Sequence, residues 1–301
     1  MAVKDVAAPV VAKPKVGVSP GRRALRRFLR HRLALVGLIT IAVITLLAII
    51  GSEEKALALN LRPGFPNQPP GAIEGYPLGT DALGRDVLAR TLVGGRVSIL
   101  VAIISVAIAT GIGTAVGVIA GYRGGKTDTG LMRFVDIVLS FPTILLLLVV
   151  AFLVGPGLAT MMIMIGLVTW ASGARIIRGQ VLTLREMTFI ESARVVGVSG
   201  PRMITTHILP NLVAPLVVFA TFGVATVIVF EASLSYLGLG VQPPTPSWGN
   251  ILQQTRVVTV LERYPWQWVP AASMIVLMVL AVNFVGDGLR DAVDQRSTSD
   301  R

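Results

Sequence analysis

The chain has 301 residues, of which 53% are hydrophobic and only 14% charged, and its mean hydropathy is +0.74. Soluble domains carry about 25% charged residues, so this composition excludes an entirely water-soluble fold and predicts an integral membrane protein. Cysteine is absent, which excludes disulfides, thiolate metal sites and cysteine nucleophiles, and two histidines are too few for a histidine metal cluster. No alternating segments typical of an outer-membrane barrel recur, so we expect an all-α protein.

The net charge of +11 is concentrated at the N-terminus, where nine of the 27 basic residues lie in the first 32 positions. This basic run directly precedes an apolar segment, so we expect it to set membrane topology rather than to bind nucleic acid. We interpret residues 1–32 as a cytoplasmic basic leader and residues 33–51 as a retained transmembrane helix. A signal peptide is disfavoured because no small-residue cleavage site follows Ile50.

Six segments are predicted to span the bilayer, since a spanning helix needs about 20 apolar residues. They are Leu33–Gly51, Val97–Tyr122, Phe134–Val154, Leu158–Ala174, Leu212–Phe230 and Val269–Val285. With the N-terminus inside, 20 basic residues fall on the inner side and 7 on the outer side. The positive-inside rule therefore predicts that both termini, including the tail at 291–301, are cytoplasmic.

The predicted spans contain small residues but few acids. Gly113, Gly117 and Gly121 recur at every fourth position, which favours close packing of two helices. Asp136 and Glu231 lie near span ends, and Arg133 is placed to pair with Asp136 within one turn. Ion-coupled transporters usually carry acids within the membrane, so we expect the free energy for any transport to come from another chain.

The longest predicted inner segment, 175–211, carries a pattern of short helices. We predict that Thr188 caps a helix with Glu191 in its first turn, and that Gly197 ends this helix. Ser199 and Pro201 are then expected to open a second short helix, so that the pair forms a compact knob. From the residues alone, an ordinary surface loop is the simpler alternative.

Two motifs in the chain resemble those of one protein family. Glu191-Ser-Ala-x3-Gly197-x9-His207-x-Leu-Pro is similar to the EAA loop of bacterial ABC importer permeases, with Ser192 in place of Ala and His207 in place of Ile. The segment from Pro77 to Arg90, which contains Asp81, Arg85 and Asp86, resembles the signature of the C-type permease subunit of dipeptide, oligopeptide and nickel importers. The resemblance covers about residues 22–294.

The resemblance implies a six-helix type I ABC importer permease fold, with a permease core at 96–290, in the bacterial inner membrane. It implies that the 175–211 loop docks into a cytoplasmic ATPase subunit through Glu191, Ser192, Ala193, Arg194, Gly197, Arg202 and His207. The chain itself would be non-catalytic and would hold no cofactor, because ATP and magnesium would bind to the ATPases. The implied partners are a second homologous permease, two ATPase subunits, an extracytoplasmic substrate-binding protein and membrane lipid, without nucleic acid.

The outer segments 52–95 and 232–268 are the predicted docking surface for the binding protein, with Asp81, Arg85 and Asp86 as candidate contacts. Glu231 is a candidate for facing the channel and meeting a peptide amino group, or else a helix-end acid in water. The implied cargo is a dipeptide or oligopeptide, and nickel complexes or glutathione remain alternatives. A stand-alone secondary transporter is the alternative from another class.

Overall fold

The computed structural model describes residues 25–293, so most of the predicted leader and the tail from residue 294 lie outside the described residues. In this part of the chain the regular structure is helical. The helices are α1 (Arg32–Ile50), α2 (Glu53–Leu57), α3 (Val87–Arg123), α4 (Gly125–Ser140), α5 (Thr143–Val154), α6 (Leu158–Arg185), α7 (Thr188–Val195), α8 (Gly200–Tyr236), α9 (Trp248–Gln253), α10 (Val258–Arg263) and α11 (Val269–Val293). Of these, α1, α3, α6, α8 and α11 are long and apolar enough to cross a membrane.

The predicted third span is not one continuous helix. Its sequence contains Pro142, which has no N–H to donate and which disfavours helical backbone at Phe141. Helix α4 accordingly ends at Ser140, α5 starts at Thr143, and the two helices are bent by 85° relative to each other. With 12 residues, α5 is only about 18 Å long, which is too short to cross the hydrocarbon core alone.

The longest interface of the fold joins α3 and α6, which run in the same direction. The Ser105 hydroxyl donates to the carbonyl of Met162 at 2.9 Å. Farther along both helices, a Cβ on Gly117 would lie 2.6 Å from the carbonyl oxygen of Ala174, and one on Gly121 would lie 2.8 Å from Val181. The predicted glycine packing is therefore confirmed, and only hydrogen fits at these positions.

Because α3 and α6 are parallel, the path of α4 and α5 between them is constrained. Since α3 and α6 run in the same direction side by side, the chain between them has to return to the starting side. The bent pair α4–α5 makes that return and counts as one broken crossing. Residues 25–293 thus form six crossings, as predicted.

The first and last spans pack antiparallel. A Cβ on Gly37 would lie 2.5 Å from the carbonyl oxygen of Ala281, and one on Gly288 would lie 2.4 Å from Ala34. The start of α1 and the end of α11 therefore share one side of the molecule, where His31 and Asp291 lie 3.6 Å apart. We call this side the N-terminal face; it also holds the ends of α3 and α6 and the start of α8.

Several helices extend beyond the predicted spans. Helix α6 continues from Ala174 to Arg185, and α3 begins at Val87 rather than Val97. The polar extension of α6 is stabilised by ion pairs to α4, in which Arg178 contacts Asp128 through two hydrogen bonds of 2.5 and 2.6 Å. Hydropathy locates where the apolar surface stops, whereas the helical backbone continues wherever side chains find partners.

A second ion pair on the same helices corrects a prediction. Asp136 accepts a hydrogen bond from Arg175 of α6 at 2.6 Å, rather than pairing with Arg133 on its own helix. Both side chains are exposed by more than half, so this pair contributes little to stability. Together with the pair of Arg178 and Asp128, it places α4 beside the C-terminal half of α6.

Candidate functional site

The knob on the N-terminal face is built around α7. Met187, with extended backbone, is the N-cap, and Thr188 is the first helical residue. The prediction that the Thr188 side chain caps the helix is wrong; instead its carbonyl accepts a hydrogen bond from the Ser192 hydroxyl at 2.8 Å. Glu191 lies in the first turn, where its negative charge is favourable to the helix dipole.

Helix α7 ends at Val195, and Gly197 terminates it in a left-handed turn, as predicted. Gly197 has φ +82°, its N–H donates to the carbonyl of Arg194, and the Val198 N–H donates to the carbonyl of Ala193. This pair of hydrogen bonds is a Schellman motif, in which the left-handed residue is usually glycine. A Cβ on Gly197 would meet no atom within 4 Å, so the backbone conformation alone favours glycine here.

The second half of the knob is not a short helix, which corrects another prediction. Ser199 precedes the first helical residue, and from Gly200 the helix continues without interruption to Tyr236. Met203–Ile208 is a π-helical turn within it, and His207 lies in this turn. The widening coincides with Pro210, which has no N–H to donate to the carbonyl four residues earlier.

The knob rests on an apolar cluster contributed by the long helices. Ile190 of α7 and Met203 and Ile208 of α8 are buried. They pack with side chains of α3, α6 and α8, namely Val118, Ile177, Val181, Leu184 and Leu212. Because three spanning helices contribute to this cluster, the knob is packed directly on the spans.

The outward side of the knob combines apolar and charged groups. Val195 and Val196 are each 83% exposed. They are flanked by Glu191 and Arg194, which are also exposed. We call these four residues the knob surface. Ser192 and Arg202 are exposed beside it, Ala193 and His207 are half-buried, and Gly197 forms its end.

On the opposite face, Asp81 is the centre of a buried loop structure. Its Oδ1 accepts the backbone N–H groups of Leu83 and Arg85 at 2.9 and 3.0 Å, and its Oδ2 lies 2.7 Å from Nε of Arg85. The Nε of Arg90 lies 3.5 Å from the same Oδ2. Asp86 accepts the Ala89 N–H at 3.1 Å and so caps α3.

The predicted docking role of Asp81, Arg85 and Asp86 stays a prediction, and in the single chain these residues are interior. The three residues are only 2%, 8% and 5% exposed. Their charges are satisfied by one another and by backbone N–H groups, which a partner protein cannot reach. They hold the loop backbone and the start of α3 in place beneath the surface of the opposite face.

Glu231 is likewise interior. It has 0% exposure, and its two oxygens accept hydrogen bonds from the hydroxyls of Ser98 and Ser235, both at 2.8 Å. The Ser98 hydroxyl oxygen in turn accepts the backbone N–H of Trp248, and the Ser235 hydroxyl oxygen accepts the backbone N–H of Val241. Glu231 is therefore not a helix-end acid in water, and its channel role stays a prediction. It connects α3 and α8 to the loop that follows α8.

Sequence reasoning missed this network because its members are far apart in the chain. Ser98 precedes Glu231 by 133 residues. Trp248 is also buried there, with its indole N–H donating to the carbonyl of Thr91 at 2.9 Å and its ring against Gly95. A glutamate within an apolar span was the available signal, since such a group requires polar partners.

The chain matches two family profiles. One, described as "Binding-protein-dependent transport system inner membrane component", matches residues 113–299, and the other, "N-terminal TM domain of oligopeptide transport permease C", matches residues 19–70. The chain is 38% identical to the oligopeptide transport system permease protein OppC of Haemophilus influenzae over 300 residues, covering 98% of this chain and 94% of the relative. It is 39% identical to the dipeptide transport system permease protein DppC of Alkalihalophilus pseudofirmus over 283 residues, with coverages of 94% and 92%.

Among solved structures, the chain resembles one of the MetNI methionine ABC transporter in inward-facing conformations. The TM-score is 0.54 and the identity 23%, and the match covers 68% of this chain and 96% of the other. This likeness supports the fold with its six crossings and its close contact between the glycines of α3 and helix α6. The protein therefore belongs to the inner-membrane components of binding-protein-dependent transport systems, and within them to the permease C subunits of the oligopeptide and dipeptide ABC importers.

Proposed function

We propose that this chain forms half of the translocation channel of an ATP-driven peptide importer and pairs with a second homologous permease. The N-terminal face lies in the cytoplasm, and the knob docks onto ATPase subunits there. ATP and magnesium are bound by those subunits, and this chain contributes no catalytic group. The names of the relatives support peptide cargo, and the distribution of basic residues supports the orientation.

The observation that carries the coupling role is the construction of the knob. Helix α7 is packed on a cluster shared by α3, α6 and α8, and the chain that follows it continues as a spanning helix. A displacement applied to α7 is therefore passed to the spans as a rigid-body movement rather than absorbed by a loop.

The chemistry of the knob surface fits a protein partner. Two adjacent valines, Val195 and Val196, are exposed to 83%, and Glu191 and Arg194 lie beside them. Protein interfaces combine an apolar centre with a polar rim, and the four residues have this arrangement at small scale. The ATPase is the partner that this position and these groups favour.

A substitution on the knob surface tests the proposal. Val195→Asp places a charge at the apolar centre, and since Val195 is almost fully exposed, the fold of the chain is not affected. If this contact is worth about 2 kcal/mol, the ATPase subunits should bind about 30-fold more weakly. Co-purification of the ATPases and ATP-dependent uptake of a labelled tripeptide should both decrease.

Val258→Asp is the matched control, because Val258 is 63% exposed but lies at the start of α10 on the opposite face. It should leave ATPase co-purification unchanged. Wild-type association and uptake in the Val195→Asp transporter would refute the docking role of the knob.

A further inference from the structure

A cavity of about 150 Å³ lies about halfway along the spans, between α3, α6 and α8. Its wall includes Val106 of α3, Thr169 and Ser172 of α6, and Phe219, Phe222 and Thr226 of α8. Among the described residues that line it, none is charged. We call it the mid-span pocket.

The hydroxyl groups of the mid-span pocket donate within their own helices, which leaves their lone pairs free to accept hydrogen bonds. Thr169 donates to the carbonyl of Ile165 at 2.7 Å, and Ser172 donates to the carbonyl of Thr169 at 3.2 Å. Thr226 donates to the carbonyl of Phe222 at 3.1 Å. Each hydroxyl hydrogen is thus committed to its own helix, and the remaining lone pairs require a ligand that donates.

The mouth of the pocket is more polar than a lipid-facing surface. Ser172 and Thr226 are exposed in the single chain, whereas every exposed residue of α1 between Leu33 and Ile50 is apolar. Polar groups at membrane depth usually face a protein interior or a water-filled path. This polarity favours an opening towards a protein partner or a water-filled path rather than towards lipid.

Two further hydroxyls extend this polar surface along α3. Thr110 and Thr114 lie one and two turns beyond Val106 on the same side of the helix, towards the N-terminal face. Their oxygens are buried, and among residues 25–293 they have no hydrogen-bond partner. Buried hydroxyls are normally paired, so these two oxygens require a partner that residues 25–293 of the single chain do not supply.

We propose that the mid-span pocket is a transit site for the protonated amino group of the peptide cargo, an inference that rests on the proposed import of peptides. An ammonium group has three N–H donors for the three hydroxyl oxygens, and aromatic rings such as those of Phe219 and Phe222 tolerate and attract cations. The amino terminus is common to peptides of any sequence. Because no carboxylate lines the pocket, the group is held weakly and released readily, as transport requires.

The absence of cysteine from the chain allows a direct test with Ser172→Cys. The complete transporter would be labelled with methanethiosulfonate reagents carrying an ethylammonium or an ethylsulfonate group, during ATP turnover in the presence of the binding protein. Labelling of this chain is followed by mass spectrometry, and each rate is divided by the rate of the same reagent with mercaptoethanol. Val43→Cys, on the apolar face of α1, is the lipid-side control.

We expect the ethylammonium reagent to label Cys-substituted position 172 about 10-fold faster than the sulfonate, because a cation gains the charge-assisted contacts described above. Trialanine amide should slow the reaction, and N-acetyl-trialanine amide should not. Equal normalised rates, protection by both peptides, or an unreactive position like that of Val43→Cys would each overturn the proposal.

A second experiment removes the acceptors without changing shape. Thr169→Val, Ser172→Ala and Thr226→Val together should reduce the maximal uptake of trialanine about 10-fold, since the hydrogen bonds to the cation are lost. Thr221→Val is the control, because its hydroxyl donates to the carbonyl of Val217 on the same helix but lies outside the pocket. Wild-type uptake by the triple variant contradicts the inference alone, whereas a wild-type transporter that imports no peptide refutes the proposed function itself.

Discussion

Two glycines of α3 should respond to the same substitution in opposite ways. A Cβ on Gly117 would lie 2.6 Å from the Ala174 carbonyl oxygen and 2.9 Å from the Ile177 Cβ, both of which belong to α6. A Cβ on Gly111 would meet no atom within 4 Å. Both positions lie within the same long helix, so their intrinsic helical preferences are equal.

The magnitudes follow from these distances. Alanine is favoured over glycine within a helix by about 1 kcal/mol, so Gly111→Ala should stabilise the fold by up to that amount. Gly117→Ala gains the same helical preference but forces α3 and α6 apart against backbone atoms, and overpacking of this kind costs about 1–3 kcal/mol. The two variants should therefore differ in free energy of unfolding by about 1–3 kcal/mol, with Gly117→Ala the less stable.

The difference is measured by unfolding the purified chain in mixed micelles with increasing sodium dodecyl sulfate, and by thermal unfolding in detergent. Gly121→Ala provides an intermediate case, because the nearest atoms there are the side-chain carbons of Val181 rather than a carbonyl oxygen. If Gly117→Ala were as stable as Gly111→Ala, α3 and α6 would not be in close parallel contact. In that case α4 and α5 would not have to form one broken crossing.

Two other substitutions test the ends of α8 and the knob. Gly197→Val should reduce the number of peptides imported per ATP more than Gly197→Asn. A β-branched residue is strained at φ +82° by about 1–2 kcal/mol, whereas asparagine tolerates this region. Equal numbers of peptides imported per ATP by the two variants would argue against a functional role of the Schellman turn. Glu231→Ala should lower the free energy of unfolding by about 2–4 kcal/mol, since it leaves the Ser98 and Ser235 hydroxyls unpaired around a cavity, and Glu231→Gln should lower it less. Thermal unfolding and proteolysis of the loop after α8 measure this loss of stability. A Glu231→Ala protein as stable as the wild type would contradict the network.

The sequence allowed the number of crossings and some local geometry to be predicted, for physical reasons that particular residues illustrate. A stretch such as Leu33–Gly51 has no charged side chain, so bilayer thickness alone identifies it as a span. Gly117 was predicted to lie in a helix contact because its spacing from Gly113 and Gly121 places all three on one face. Gly197 was predicted to end α7 because few other residues adopt a left-handed conformation without strain.

The rest depended on tertiary contacts that no local pattern reveals. Pro142 lies inside a stretch that is apolar throughout, so hydropathy alone did not indicate the break that its missing N–H causes. Asp81 and Arg85 are charged residues in a Pro- and Gly-rich segment, which favoured an exposed position, yet they satisfy each other in the interior. Burial of a charged group follows from its partners, and those of Glu231 come from another helix and from the loop.

A single helix connects the knob, the mid-span pocket and the buried network of Glu231. Helix α8 has 37 residues and is therefore about 55 Å long. It carries Met203 in the cluster beneath the knob, Thr226 in the mid-span pocket and Glu231 in the network under the loop that follows α8, which we call the outer loop. A movement of the knob by the ATPase would thus reach both the pocket and the outer loop through one continuous element, unless the helix bends on the way. Bending is easiest at Pro215, which interrupts the regular hydrogen bonding of the helix between the cluster under the knob and the pocket.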